Sequence, residues 1–296
     1  MRPWMLIPTL ALAACVKVPA ADPEFSDAVR FLFRAFDDDP ATVAFAIREL
    51  EAQVYQSMDV SAKSVNDRAL LPERLTTEDV AGLDRPNRPV GDALPVAVAG
   101  LSPFSPKEHT PIHLLVDHTP VEPYSPKYYE REFVEGRNCW ADRDCDYLRT
   151  RNDLTKENAL MTVDYWFNKD YRWIDLNLPD PSELAEGEEA VNDGKPRWAF
   201  MARAVNAESF SGRKDNAWIY QSFSIDIWVP RDGEGYIAGK KAEFESDSSG
   251  GGSLRMLCLW AETEFGLKVS DDVVIGTTRG GIDNNFQAAD DWLAEN

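Results

Sequence analysis

Apolar residues recur every three or four positions near the start of the chain: Phe25, Val29, Leu32, Phe33 and Phe36, then Val43, Ile47, Leu50 and Val54. That period predicts a helical segment over residues 25–57. Asp37-Asp38-Asp39-Pro40 divides it in two, with a cap from the aspartates and Pro40 in the first turn of the second helix. Residues 58–111 are rich in Pro, Asp, Arg and Asn and hold no period, which predicts an irregular layer or linker. Beyond Pro111 the pattern turns to strands. Residues 112–121 read as extended, 126–133 as a short helix, and one more short helix is expected through Leu148. Strands follow at about 160–168, 171–178, 197–206, 217–229, 253–264 and 272–279. Within 217–229, Ile219, Phe223, Ile225, Ile227 and Val229 fall on one face. Trp218, Tyr220, Ser222, Ser224, Asp226 and Trp228 fall on the other, the alternation of an antiparallel strand with one buried face. A glycine-rich connection over 246–253 and a closing amphipathic helix over 283–293 complete the pattern.

These elements predict an α+β fold: a curved antiparallel sheet of about six or seven strands in residues 112–296, with a C-terminal helix and a preceding helical segment. The order over 112–294 resembles the helix-grip arrangement of START-like lipid-binding domains, in which a curved sheet folds round a C-terminal helix over an apolar cavity. The resemblance rests on element order and on no residue motif. It implies a ligand cavity, and the aromatic and β-branched strand faces nominate Trp198, Phe223, Ile225 and Trp260 as its wall. The same residues also suit a solid sheet core. The N-terminal helices, with Phe25, Phe33, Phe36 and Ile47 to bury, are a candidate plug for the space.

The first residues have a different character. Arg2 precedes a short apolar stretch, Met5 to Ala14, with the proportions of an export signal rather than a membrane span. It ends in Leu12-Ala13-Ala14-Cys15, which resembles the lipobox of bacterial lipoproteins. The resemblance implies a signal peptide over 1–14, acylation of Cys15, and a lipidated tether over 15–24. Val16 stands where the family's inner-membrane retention signal has Asp, so the implied address is the outer membrane. Two or three acyl chains make a stable anchor where one does not. The alternative is plain secretion with cleavage after Val18-Pro19-Ala20.

Export permits a disulfide, and Cys139 and Cys145 are spaced for one, while Cys258 lies in an apolar, strand-like run. With 51 Asp+Glu against 31 Lys+Arg the formal charge is −20, which argues against a nucleic-acid partner. His109, His113 and His118 are the only histidines. In an extended segment His113 and His118 point to opposite faces, and Pro111 breaks any helix that would align them, so no metal site is expected. Asp142, Asp144 and Asp146 alternate as in a calcium loop, but Tyr147 replaces the required Gly and Asp153 the final Glu. Arg203, Asp226, Asp175 and Glu262 lie in expected strands, either as surface ion pairs or as polar anchors in a cavity. No catalytic motif is present and no cofactor is expected. The chain therefore reads as a membrane-anchored envelope lipoprotein, a non-enzymatic binding module for an apolar ligand such as a lipid. The alternatives are an envelope protein–protein interaction or structural lipoprotein, and an enzyme without a recognisable motif.

Overall fold

The computed structural model describes residues 17–296 apart from 126, 158–160, 185–189, 192–193, 214–216, 232–233, 238–239, 244–251 and 267. The expected signal peptide and Cys15, and most of the glycine-rich connection, lie outside the described residues. Helix α1 (Pro23–Arg34) begins where Asp22 accepts from the Phe25 amide at 2.8 Å. Helix α2 (Pro40–Ser57) begins where Asp39 accepts from the Thr42 amide at 3.0 Å, so the aspartate run caps the second helix as expected.

The remaining elements in chain order are β1 (Ala69–Leu70), β2 (Leu94–Ser102), α3 (Pro106–His113), β3 (Tyr129–Glu135), β4 (Tyr147–Glu157), β5 (Thr162–Asp175) and β6 (Trp198–Val205). Then come β7 (Phe210–Ser211), β8 (Ala217–Pro230), β9 (Glu234–Ile237), β10 (Lys240–Glu243), β11 (Ser253–Phe265) and α4 (Asp271–Glu295). Strands β9 and β10 pair with each other. Among the described residues the other strands form a nine-stranded antiparallel sheet in the order β1-β2-β11-β8-β6-β5-β4-β3, with β7 beside β8. The α+β class with its C-terminal helix is as expected.

Several element assignments are corrected. Leu94–Ser102 in the irregular segment is a strand, because β2 is buried almost along its length and so shows no alternation. Residues 126–133 and the stretch through Leu148 contribute β3 and β4 rather than helices, and the strands expected at 160–168 and 171–178 are one, β5. Residues 112–121 hold the end of α3 and a single turn. Residues 272–279 are the first turns of α4, not a strand: Val274, Ile275, Ile282 and Phe286 bury one helical face against the sheet, overriding the β-branched run.

Two layers cover the sheet. On one face, α1, α2 and the chain up to Val90 share a single core with Phe223, Ile225, Ile227, Val229, Leu254, Met256 and Trp260. Phe33 meets Phe223 and Trp260 edge-on, with ring centroids 6.2 and 5.7 Å apart. Arginines fasten the layer: Arg197 holds Glu51 at 2.7 and 2.9 Å, and Arg172 donates to the Phe36 and Asp38 carbonyls. On the other face lie α3, α4 and the loop between α3 and β3. Among the described residues no helix is long and apolar enough to cross a membrane.

Candidate ligand cavity

A cavity of about 310 Å³ separates the second face of the sheet from α3 and α4. Its floor is the outward alternation of successive strands: Tyr165, Phe167, Lys169 and Tyr171 of β5; Ser222, Ser224, Asp226 and Trp228 of β8; Leu257, Leu259, Ala261, Thr263 and Phe265 of β11. Ile112 and His113 of α3, His118 and Val121 of the loop, and Val274, Ile282 and Phe286 of α4 close it from above. The disulfide loop lies behind one wall residue, Tyr171, and does not line the cavity itself. Cys139 and Cys145 are bonded, with Cα atoms 5.5 Å apart, and the loop they close buries Trp140 against Tyr171, Trp173 and Phe200. Cys258 is free and buried, and burial pushes its thiol well above the usual range.

A bulge in β8 decides part of the lining. Glu262 pairs with Gln221 and Thr263 with Ile219, so Tyr220 has no partner in β11. The extra residue reverses the alternation. Ile219, expected beside Phe223, therefore faces the cavity, while Tyr220 turns to the N-terminal layer under Arg88.

The four residues nominated as the cavity wall are placed elsewhere. Phe223, Ile225 and Trp260 face α1 and α2, which fill the space on that side as the plug foreseen from their apolar residues. Trp198 opens β6 beneath the Arg143 guanidinium, 5.2 Å from its ring, and also does not line the cavity. The more polar face of β8, bearing Ser222, Ser224, Asp226 and Trp228, does so instead. Of the charged strand residues whose role spacing left open, Asp226 is in the cavity. Arg203 pairs with Asp37 at 2.6 Å, Glu262 pairs with Arg88, and Asp175 caps backbone amides.

The histidines converge after all. Pro111 sits inside α3, and the Lys107 carbonyl it cannot serve accepts from Thr110 Oγ1 at 2.8 Å. The chain then turns, so His109, His113 and His118 all reach the cavity. His113 is caged by aromatic rings, with centroids 4.8 Å to Tyr171, 5.0 Å to Trp228 and 5.2 Å to Phe200. Among the described residues neither of its ring nitrogens has a hydrogen-bond partner. His109 Nε2 lies 3.0 Å from Ser102 Oγ, which donates to Asp290 at 2.7 Å. Ser102 Oγ is thus shared between His109 and Asp290. Lys169 and Asp226 form a buried ion pair. Burial alone would pull the Lys169 ammonium down, but the Asp226 carboxylate, with Tyr171 and Tyr129, pushes it above the usual range.

Burial, aided by Arg131 and Lys169 for His113 and His118 and by Arg255 for His109, holds all three imidazoles well below their ordinary range. A depressed histidine stabilises the fold above its unfolded pKa near 6.5, and that stability is lost as pH falls and the unfolded state takes up protons. At pH 5.5 the two most buried, His109 and His113, should together cost about 3 kcal/mol relative to pH 7.5. His118 acts in the same direction. A urea midpoint that does not fall between those pH values, or a slope unchanged by His113→Gln, would contradict this account.

No protein-family model and no curated protein sequence matches the chain. Among solved structures it is similar to TTHA0849 from Thermus thermophilus, at 13% identity and a TM-score of 0.34, over 67% of this chain and 96% of that one. It is similar to Ara h 8.0201 at 12% identity and a TM-score of 0.30, over 68% of this chain and 98% of that one. It is also similar to the lipid transfer and protein localization domain of human StarD13 (DLC2) at 10% identity and a TM-score of 0.31, over 67% and 76% of the two chains.

Proposed function

We propose that the protein is a binding module whose cavity holds an apolar ligand such as a lipid, and that Cys15 anchors it to the outer membrane. The observation that supports ligand binding is the cavity itself: about 310 Å³, within the range of small-molecule sites, mostly apolar, with a few polar groups gathered in it. The anchor rests on Leu12-Ala13-Ala14-Cys15 alone.

Native mass spectrometry of the protein isolated from envelope membranes tests the first part. A bound mass that dissociates as a lipid is expected, and Ala261→Trp, which narrows the cavity from β11, should abolish it without changing the circular dichroism. A protein that carries no ligand and acquires none from added lipids refutes the reading. For the anchor, an alkyne fatty acid fed to cells should label the chain, and Cys15→Ser should remove the label; labelling that survives the substitution refutes acylation at that residue.

A further inference from the structure

We infer that the polar end of the cavity takes the carboxylate headgroup of a single-chain amphiphile, with Arg131 as its counter-charge. This rests on the cavity being a ligand site. Among the described residues four cations border the cavity, and three have carboxylates: Lys156 pairs with Glu122 at 2.8 Å, Arg255 with Asp290 at 2.8 Å, and Lys169 with Asp226. Arg131 is the fourth. It is 3% exposed and donates to Asn152 Oδ1 at 2.9 Å and to the His113 carbonyl at 2.5 Å, both uncharged. Among the described residues no carboxylate lies within ion-pair reach of it. A charge removed from water without a counter-ion is costly, so such a site favours a ligand that supplies one.

The spare charge is local. Arg131, Lys169 and His113 surround one ring, Tyr171, at 5.8, 5.4 and 4.8 Å. Two cations and a neutral imidazole there face the single carboxylate of Asp226. His113 is 6% exposed, and among the described residues neither of its nitrogens has a partner, so a neutral ring offers one N–H that nothing there accepts. A carboxylate satisfies both deficits, taking a charge-assisted bond from the guanidinium and a second from the imidazole. The Asp226 carboxylate repels an anion, so the headgroup belongs on the Arg131–His113 side. One spare positive charge matches a monoanion. The protein's formal charge of −20 discourages free small anions, so the apolar chain, held by the rest of the cavity, must supply the affinity that brings the headgroup in.

Three photoactivatable long-chain probes of equal length, an acid, an alcohol and an amine, applied to isolated membranes containing the full chain, test the inference. At neutral pH the acid should label cavity peptides from β5 and β8 about tenfold more than the alcohol at equal concentration, and the amine least. Arg131→Gln should bring acid labelling down to the level of the alcohol. Asn152→Asp, which gives Arg131 a carboxylate at the oxygen it already reaches, should also bring acid labelling down, and serves if Arg131→Gln fails to fold. Equal labelling by acid and alcohol, or preference for the amine, overturns the carboxylate inference and leaves the binding module standing. Absence of light-dependent cavity labelling by all three probes overturns the binding module as well.

Discussion

Trp260→Ala should lower the unfolding free energy by about 3–5 kcal/mol, because it empties a fully buried indole site between β11 and α1. Two losses combine. The ring's contacts with Phe33 go, and the Glu73 carbonyl loses the indole N–H that reaches it at 3.0 Å. Trp260→Phe keeps much of the volume and removes only the donor, so about 1–2 kcal/mol is expected. Urea denaturation followed by circular dichroism measures both. Since Trp260 faces the N-terminal layer, Trp260→Phe should leave labelling of the cavity unchanged. If that substitution abolished labelling, Trp260 would belong to the cavity wall after all, and the two faces of the sheet would have been assigned the wrong way round.

Lys169→Met is expected to cost a similar amount, about 3–5 kcal/mol, through a different cause. It leaves Asp226, 2% exposed, as a carboxylate with no cation beside it. Burial already raises this carboxyl, against the pull of Lys169 and the Ser224 hydroxyl. Without Lys169 it should rise further and take up a proton in the folded state while the unfolded chain remains ionised. A raised carboxyl loses stability as pH rises, so the deficit of Lys169→Met relative to the wild type should shrink as pH falls toward about 4. Lys169 also helps to depress His113 and His118, so its removal eases their loss of stability at low pH and acts in the same direction. The double variant Lys169→Met/Asp226→Leu should recover most of the stability, because the desolvation penalty disappears with the charges. A double variant as unstable as the single one would show that Lys169 acts by packing, not by charge.

Both outcomes depend on which face of the sheet each residue occupies, and there the sequence was only partly legible. The alternation of β8 marked two distinct faces and grouped Phe223, Ile225 and Ile227 together. It did not say what covers them. The more apolar face looked like a cavity wall, yet that face is the one a solid layer of helix fills; the face left around a cavity tolerates Ser222, Ser224 and Asp226. Asp226 and Lys169 are charged residues amid strand patterns, and such residues are the one signal of the polar end. Separation in sequence hid their pairing. Arg131 carried no signal, because its segment was read as a helix.

By itself, the sequence determined the features that depend on neighbours along the chain. The caps and periods of α1 and α2 follow from Asp22, Asp39 and the spacing of Phe25 to Val54. The Cys139–Cys145 bond follows from a short span, and the two faces of β8 from Ser222 to Val229 follow from alternation. Only the tertiary structure decided the rest. Burial on both sides erased the alternation of β2, and contact with the sheet made a helix of the β-branched run beginning α4. One unpaired residue, Tyr220, moved Ile219 to the opposite face, and a turn after α3 brought the three histidines to one cavity. Periodicity records which side of an element is apolar; what packs there is settled by parts of the chain that are distant in sequence.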